Sequence, residues 1–364
     1  MNSSTPVSEI EAQRIALEDL GAFSTSVLSA AGANMETASA ATRSMLHGSR
    51  LGIDSHGIRL LPHYAKAIKG GRVNGNPRLE FDYRAGVVAT LNAGDAHGAL
   101  AAYEAMKEAV SIARFNGMGA VAIQRSSHFG PAGAYAVEAA RAGMIGLTFC
   151  NSDAFVRLHG GAERFHGTNP IAVAAPSGAD DPWLLDMATS SIPYNRIRLF
   201  ESLGQPLPRS VASLADGQDT QDASQAVMLA PLGGEFGFKG AGLAGLVEIF
   251  SAVLTGMNLS SEILPMEGED MSTPRYMGAF VMALDPAAFL DPAAFEAGMR
   301  RYLHSLRNSP TAASETVLAP GDREWAEAAR RDSEGVPIDP KTELAFRTLA
   351  EAYGVPFPER TGTP

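Results

Sequence analysis

The chain has 364 residues, 45% hydrophobic and 19% charged, with a formal net charge of −11. This is the composition of a compact protein of two or three domains, not of a disordered chain, and its acidic surplus excludes a nucleic-acid partner that needs a basic face. One cysteine, Cys150, excludes an internal disulfide and a Cys-rich zinc site and fits a reducing, cytoplasmic compartment.

Residues 1–10 carry no basic and apolar pair of regions that would mark a signal peptide. Residues 8–32 read as an amphipathic helix opened by a Ser8–Glu11 capping box. A second helix is expected over 35–47. A third is expected over 55–68, where Ile58, Leu61, Ala65 and Ile68 recur at helical spacing. Pro62 is expected to kink it and Gly70-Gly71 to end it. Strands and helices then alternate: strand 87–91, helix 98–115, strand 119–123, helix 132–141 and strand 145–150. Further strands are expected at 171–175, 183–186 and 276–284. Such alternation builds α/β layers. Residues 206–224, rich in Pro, Ser, Asp and Gln, read as a surface excursion. A helix over 241–254 is broken by Glu248 and too short to span a membrane, so no membrane partner is expected. Helices over 292–305, 323–332 and 340–353 close the chain. Helical ends around an α/β middle suggest that both termini share one domain.

Four stretches carry chemistry. Ser49-Arg50-Leu51-Gly52-Ile53-Asp54-Ser55-His56-Gly57-Ile58-Arg59 puts a histidine between two arginines. Histidine gives or takes a proton near neutral pH, and arginine grips a carboxylate through paired hydrogen bonds. Ser126-Ser127-His128-Phe129-Gly130 lies where a strand hands over to a helix, whose first N–H groups favour an anion. A capped loop with an exposed histidine explains the same residues. Asp186-Met187-Ala188-Thr189-Ser190 ends an apolar strand. Its aspartate is costly to bury unpaired; it either charges a histidine or caps the next element of the chain. Pro231-Leu232-Gly233-Gly234 through Lys239 and Gly240 offers a side-chain-free loop beside a cation, either a phosphate cradle or a closely packed helix start. The spelling Gly240-x-Gly242-x-x-Gly245 lacks the preceding strand of a Rossmann fingerprint. Asn151-Ser152 and Gly167-Thr168-Asn169-Pro170 adjoin strand ends, where ligands of α/β sheets gather, although turn chemistry accounts for the second. His159 and His166 match no zinc spacing, and no metal is expected.

These motifs, in this order and register, resemble the malate/L-lactate dehydrogenase family that is unrelated to the Rossmann malate and lactate dehydrogenases. The resemblance runs from about Val7 to Pro358. It implies an α/β fold with a non-Rossmann nicotinamide-binding domain over 85–286, an excursion near 200–226, and a helical substrate and dimer domain from 1–84 and 287–364. It implies a homodimer binding NAD or NADP and a small carboxylic-acid substrate. His56 becomes the proton donor and His128 its rival, with Asp186 as their acidic partner. Arg50, Ser55, Arg59, Thr168 and Asn169 become substrate contacts. His128, Ser152, Asp186, Met187, Ala188, Thr189, Ser190, Lys239, Gly240, Gly321 and Asp322 become cofactor contacts. The family's Gly-Lys pair after the aspartate motif is replaced here by Ile192-Pro193-Tyr194-Asn195-Arg196. Three activities are implied as expectations: interconversion of a 2-oxo acid and a 2-hydroxy acid, reduction of a cyclic imino acid, or nucleotide binding without catalysis.

Overall fold

The computed structural model describes residues 13–312 and 315–359. Seven strands form one sheet, in the spatial order Glu80–Ala85, Val88–Asn92, Met118–Ser126, Met277–Leu284, Ile145–Cys150, Ile171–Ala175 and Trp183–Met187. Val88–Asn92 and Met118–Ser126 run parallel; the other neighbours in this sheet are antiparallel. A dinucleotide fold of the Rossmann type is built on a mostly parallel sheet, so the sheet confirms the non-Rossmann expectation.

The central strands are buried on both faces, and side-chain alternation sorts their residues. Val121 and Ile123 join the larger core, together with Ala101, Ala105, Ala109 and Ala113 of the helix Gly98–Asn116. Ala120 and Ala122 face the other way, onto Phe149, Val247 and Phe280. The alanine stripe lets the helix lie close to the sheet. A Cβ on Gly119 would run into the Ala109 carbonyl. Each fully buried Val or Ile here contributes roughly 1.5–3 kcal/mol.

Both termini meet in a second core. Gln13–Ile15 pairs antiparallel with Val336–Ile338. Helices Leu17–Ala30, Met35–Arg50 and Leu61–Gly70 share Phe23, Val27 and Tyr64 with Phe346 of the helix Pro340–Tyr353. The helical unit expected from both chain ends is therefore present.

Several local expectations change. The first helix begins at Leu17, because residues 13–15 are taken by strand pairing; the Ser8–Glu11 capping box lies outside the described residues. The third helix is replaced at its start by two 3-10 turns, Asp54–His56 and Ile58–Leu60, and begins at Leu61. Pro62 stands in its first turn, where a missing N–H costs nothing, so it starts the helix and does not kink it. The segment 206–224 carries a small core of its own, with Leu207, Val211, Ala212 and Ala223 packed on Val156, Ile197 and Leu229. The helix expected from residue 241 begins at Phe238 and passes into a π-helical turn, Ile249–Val253. Among the described residues, no helix is long and apolar enough to cross a membrane.

Candidate active site

The two sequence-predicted histidines come together. The His56 and His128 rings stack with centroids 5.7 Å apart and planes 26° apart. Each has its Nδ1 engaged: His56 with the Ser55 hydroxyl at 2.9 Å, His128 with the Tyr64 hydroxyl at 2.8 Å. Burial pushes the Tyr64 phenol well above its ordinary 10, so it stays protonated. The direction of this hydrogen bond sets which nitrogen of the His128 ring carries the proton. Tyr64 also packs edge-on against His97, centroids 4.2 Å apart. Nothing in the linear sequence marks Tyr64, which looks like one apolar position of an amphipathic helix.

Both histidine loops are fixed by contacts from distant chain segments. Arg331, 5% exposed on the helix Asp322–Glu334, donates to the Ser49 carbonyl at 2.6 Å and to both Asp54 carboxylate oxygens at 2.6 and 3.0 Å. Ser49 Oγ accepts from the Ile58 N–H at 2.8 Å, closing the loop on its far side. On the His128 side, the Phe129 carbonyl accepts from Ser44 Oγ at 2.9 Å and from the Tyr135 hydroxyl. Ser127 Oγ donates to the Ala96 carbonyl and accepts from the Gly98 N–H, pinning the loop to the start of a helix.

Asp186 meets neither histidine in a hydrogen bond. Its carboxylate accepts from the Gly133 N–H at 2.8 Å, at the start of the helix Gly133–Arg141 that follows the His128 loop. Burial pushes its pKa up to about 6; that hydrogen bond opposes the shift and Glu324 adds to it. A Cβ on Gly133 would lie 2.8 Å from this carboxylate, so the glycine is what admits the contact.

Several predicted cofactor contacts gather into one hydrogen-bonded ribbon with Thr168, predicted as a substrate contact, and Leu232. Thr168 N–H donates to Ser152 Oγ at 3.2 Å, and Thr189 Oγ1 donates to the Thr168 carbonyl at 3.1 Å. Leu232 N–H donates to the Thr189 carbonyl, and Gly240 N–H to the Leu232 carbonyl. Met187 and Ala188 are half-buried, while Ser190 is buried with its hydroxyl on the Ile192 carbonyl. Lys239 is exposed in the first turn of the helix Phe238–Glu248. A Cβ on Gly240 would run into the Leu232 carbonyl, so the glycine lets the helix start pack closely on Leu232. A cation in the first turn of a helix suits a phosphate, and Lys239 fits the phosphate end of a dinucleotide. Gly321 takes φ +96 and adjoins the strand Trp183–Met187, where Leu184 N–H donates to the Pro320 carbonyl. The Asp322 carboxylate is taken up by Arg307 at 2.6 and 3.0 Å, and Arg307 holds it below the usual range.

Three predicted substrate contacts are spent elsewhere. Arg50 forms a two-pronged pair with Asp332, both hydrogen bonds at 2.7 Å, and Arg59 pairs with Asp339 at 3.0 Å. Both salt bridges tie the His56 region to the C-terminal helices. Asn169 is fully buried at φ +34, a left-handed conformation asparagine tolerates. Its amide donates to Glu248 at 2.9 Å, within a buried network that also holds Asn151 and Ser260. These residues build the site's frame.

The site is electrostatically hostile to protonated histidine. Burial lowers His56; burial, then His56 and Arg275, lower His128 well below 6.5. Burial first, then neighbouring cations for His47 and His63 and the His63 charge for His97, lower His47 and His97 to about 3 and His63 to about 4. In the unfolded chain each returns to about 6.5 and binds a proton the folded state refuses. Their stabilisation is therefore complete above 6.5 and lost as pH falls toward 4. Asp186, whose folded pKa is raised to about 6, works in the opposite direction and offsets part of this trend. Urea unfolding should show stability falling from pH 7 to pH 5, by up to about 1.4 kcal/mol per pH unit for each uncompensated histidine. A midpoint that stays level or rises toward pH 5 would contradict these burials.

Comparison with known proteins gives the chain's relatives. The family model described as malate/L-lactate dehydrogenase matches residues 15–345. A malate dehydrogenase of Pyrococcus abyssi is 32% identical, over 94% of this chain and 95% of its own. A ureidoglycolate dehydrogenase (NAD(+)) of Escherichia coli is 29% identical, over 89% and 92%. A (2R)-3-sulfolactate dehydrogenase (NADP(+)) of Chromohalobacter salexigens is 32% identical, over 76% and 82%. Among solved structures, malate dehydrogenase from Pyrococcus horikoshii superposes with a TM-score of 0.87 at 28% identity, covering 96% of this chain and 97% of that one. The delta1-piperideine-2-carboxylate reductase of Pseudomonas syringae superposes with a TM-score of 0.82 at 26% identity, covering 93% and 100%.

Proposed function

This chain belongs to the malate/L-lactate dehydrogenase family, and from that premise we propose that it interconverts a small 2-oxo acid and its 2-hydroxy acid with a nicotinamide cofactor, NAD or NADP. The observation that carries the reading is the stacked and buried His56–His128 pair; the hydrogen-bonded ribbon of residues 152, 168, 189, 232 and 240 supports it. Ser152, Met187–Ser190, Lys239 and Gly240 would hold the cofactor, with Gly321 beside the same strand. The bound nicotinamide supplies the hydride.

The protein's own task is the proton. His56 is held on Nδ1 by the Ser55 hydroxyl, which can accept from the protonated ring, and it donates to the substrate oxygen through Nε2. His128, held by Tyr64, keeps the second ring fixed and neutral. A carboxylate entering the site raises the pKa of both rings by its charge and makes the donor form accessible. Asp186 acts at one remove, fixing the start of the helix that follows the His128 loop.

Reduction of a cyclic imino acid is the second reading, supported by the likeness to the piperideine-carboxylate reductase. It needs the same hydride and proton geometry and differs in the bond reduced. NADH and NADPH oxidation measured against a panel of 2-oxo acids, 2-oxo sulfonates and cyclic imines separates the readings. Turnover is expected on a 2-oxo acid; turnover confined to imines would move the assignment to the second reading, and no turnover on any of them would defeat both.

The proposed homodimer has a surface to form on. Leu243, Leu246, Ile249, Val253 and Leu254 project exposed from one continuous helical stretch. An apolar stripe of this length is normally covered. Sedimentation should give a dimer for the native protein and a monomer for the Leu246→Asp/Ile249→Asp variant. A variant that stays dimeric would place the interface elsewhere.

A further inference from the structure

With Arg50 and Arg59 committed to Asp332 and Asp339, the substrate's carboxylate lacks the partners the sequence offered it. A different arginine, far along the chain, has the required properties. Arg275 stands just before the strand Met277–Leu284 and is 2% exposed. The strand ladder pairs Met277 with Ser126. Arg275 and His128 are therefore each two residues beyond the same rung and leave the sheet at the same end. The guanidinium is held on two edges: Nε donates to the Leu264 carbonyl at 2.8 Å and Nη2 to Asp153 Oδ1 at 2.5 Å. Its third nitrogen, Nη1, is buried and has no acceptor among the described residues. The charge is felt at His63, Tyr64 and His128, and His128 stacks on the proton donor. Arg72, a neighbouring buried arginine, spends both Nη atoms on the carbonyls of Pro265, Met266 and Asp270.

We infer that Arg275 binds the carboxylate of the 2-oxo or cyclic imino acid through Nη1, with Asp153 and the Leu264 carbonyl fixing the guanidinium plane. The inference rests on the oxidoreductase reading above. A guanidinium cannot shed its proton inside a protein. Asp153 takes one edge of the guanidinium, and Nη1 is left to give an incoming carboxylate a charge-assisted hydrogen bond from a donor already oriented and desolvated. The same contact places the substrate's C1 end beside the histidines.

The test compares the 2-oxo acid that the wild-type enzyme reduces best with its neutral primary amide. Two variants are used, Arg275→Met and the charge-balanced pair Arg275→Met/Asp153→Asn, the second because a lone Asp153 is costly to leave buried. In both, kcat/KM for the acid should fall on the order of 100-fold, the range of hydrogen bonds to charged groups. The value for the amide should stay within about twofold, since it never used the charge, and NADH affinity measured by fluorescence should be unchanged. The acid-to-amide ratio is insensitive to a general loss of folded enzyme. If acid and amide fall by the same factor in both variants, Arg275 does not read the carboxylate. A wild-type enzyme that reduces no acid or imine at all would defeat the broader reading of the activity instead.

Discussion

Replacing His56 by Asn is expected to lower kcat by roughly 10²–10⁴-fold, the contribution of a positioned general acid, while NADH and NADPH affinity stay within about twofold. The expectation follows from geometry. His56 is oriented by Ser55 on Nδ1 and by stacking on His128, and neither contact engages Nε2. Direction and pH are linked through its lowered pKa. Reduction needs the protonated ring, so kcat/KM for the 2-oxo acid should fall as pH rises through a value below 6.5. Oxidation needs the neutral ring, so kcat/KM for the hydroxy acid should fall as pH drops through that same value. Both limbs should vanish in His56→Asn and persist, at reduced rate, in His128→Asn. A limb that survives His56→Asn and disappears in His128→Asn would reverse the two roles.

The second large effect is structural in origin and catalytic in consequence. Arg331→Met removes the cation that binds Asp54 and the Ser49 carbonyl, and it leaves a half-buried carboxylate without its partner. Hydrogen bonds to a charged group of this kind contribute about 1.5–3 kcal/mol. Since the Asp54–His56 turn is the unit Arg331 holds, activity should fall further than the loss of folded protein explains. Arg331→Met/Asp54→Asn should recover much of the stability, because no half-buried charge is then stranded, but not the turnover. Denaturant unfolding of the three proteins, with kcat measured on the folded fraction, checks both parts. If Arg331→Met is as stable as the native protein, the C-terminal helix does not organise this loop.

The contrast between Tyr64 and Arg50 shows how far the sequence could be read. The histidine motifs, the strand-ended aspartate and the glycine-rich loop were visible because they are local: a few adjacent residues whose types suffice for the chemistry. The alternation of strands and helices was visible for the same reason, since it is carried by short-range periodicity. Partner choice is not local. Arg50 and Arg59 lie beside His56 in sequence, yet their guanidinium groups are claimed by carboxylates about 280 residues away. Arg275 lies more than 200 residues from His56 and carries no motif, but the antiparallel ladder brings it to the His128 end of the sheet. Tyr64 looks like a core residue because most of its surface is one; only its hydroxyl serves the site. Pro62 illustrates the related boundary problem. Its meaning reverses according to whether the helix starts before it or at it, and the two 3-10 turns that decide this leave no periodic signature.

The proposed reaction passes hydride directly between the nicotinamide and C2 of a carboxylic acid. Its most direct test is single-turnover reduction with cofactor deuterated at the transferring C4 position, followed by mass and NMR analysis of the product. One deuterium is expected, bound at C2 of the hydroxy acid, with no label released to water. Product formed without deuterium at C2, or label appearing in solvent, would contradict it.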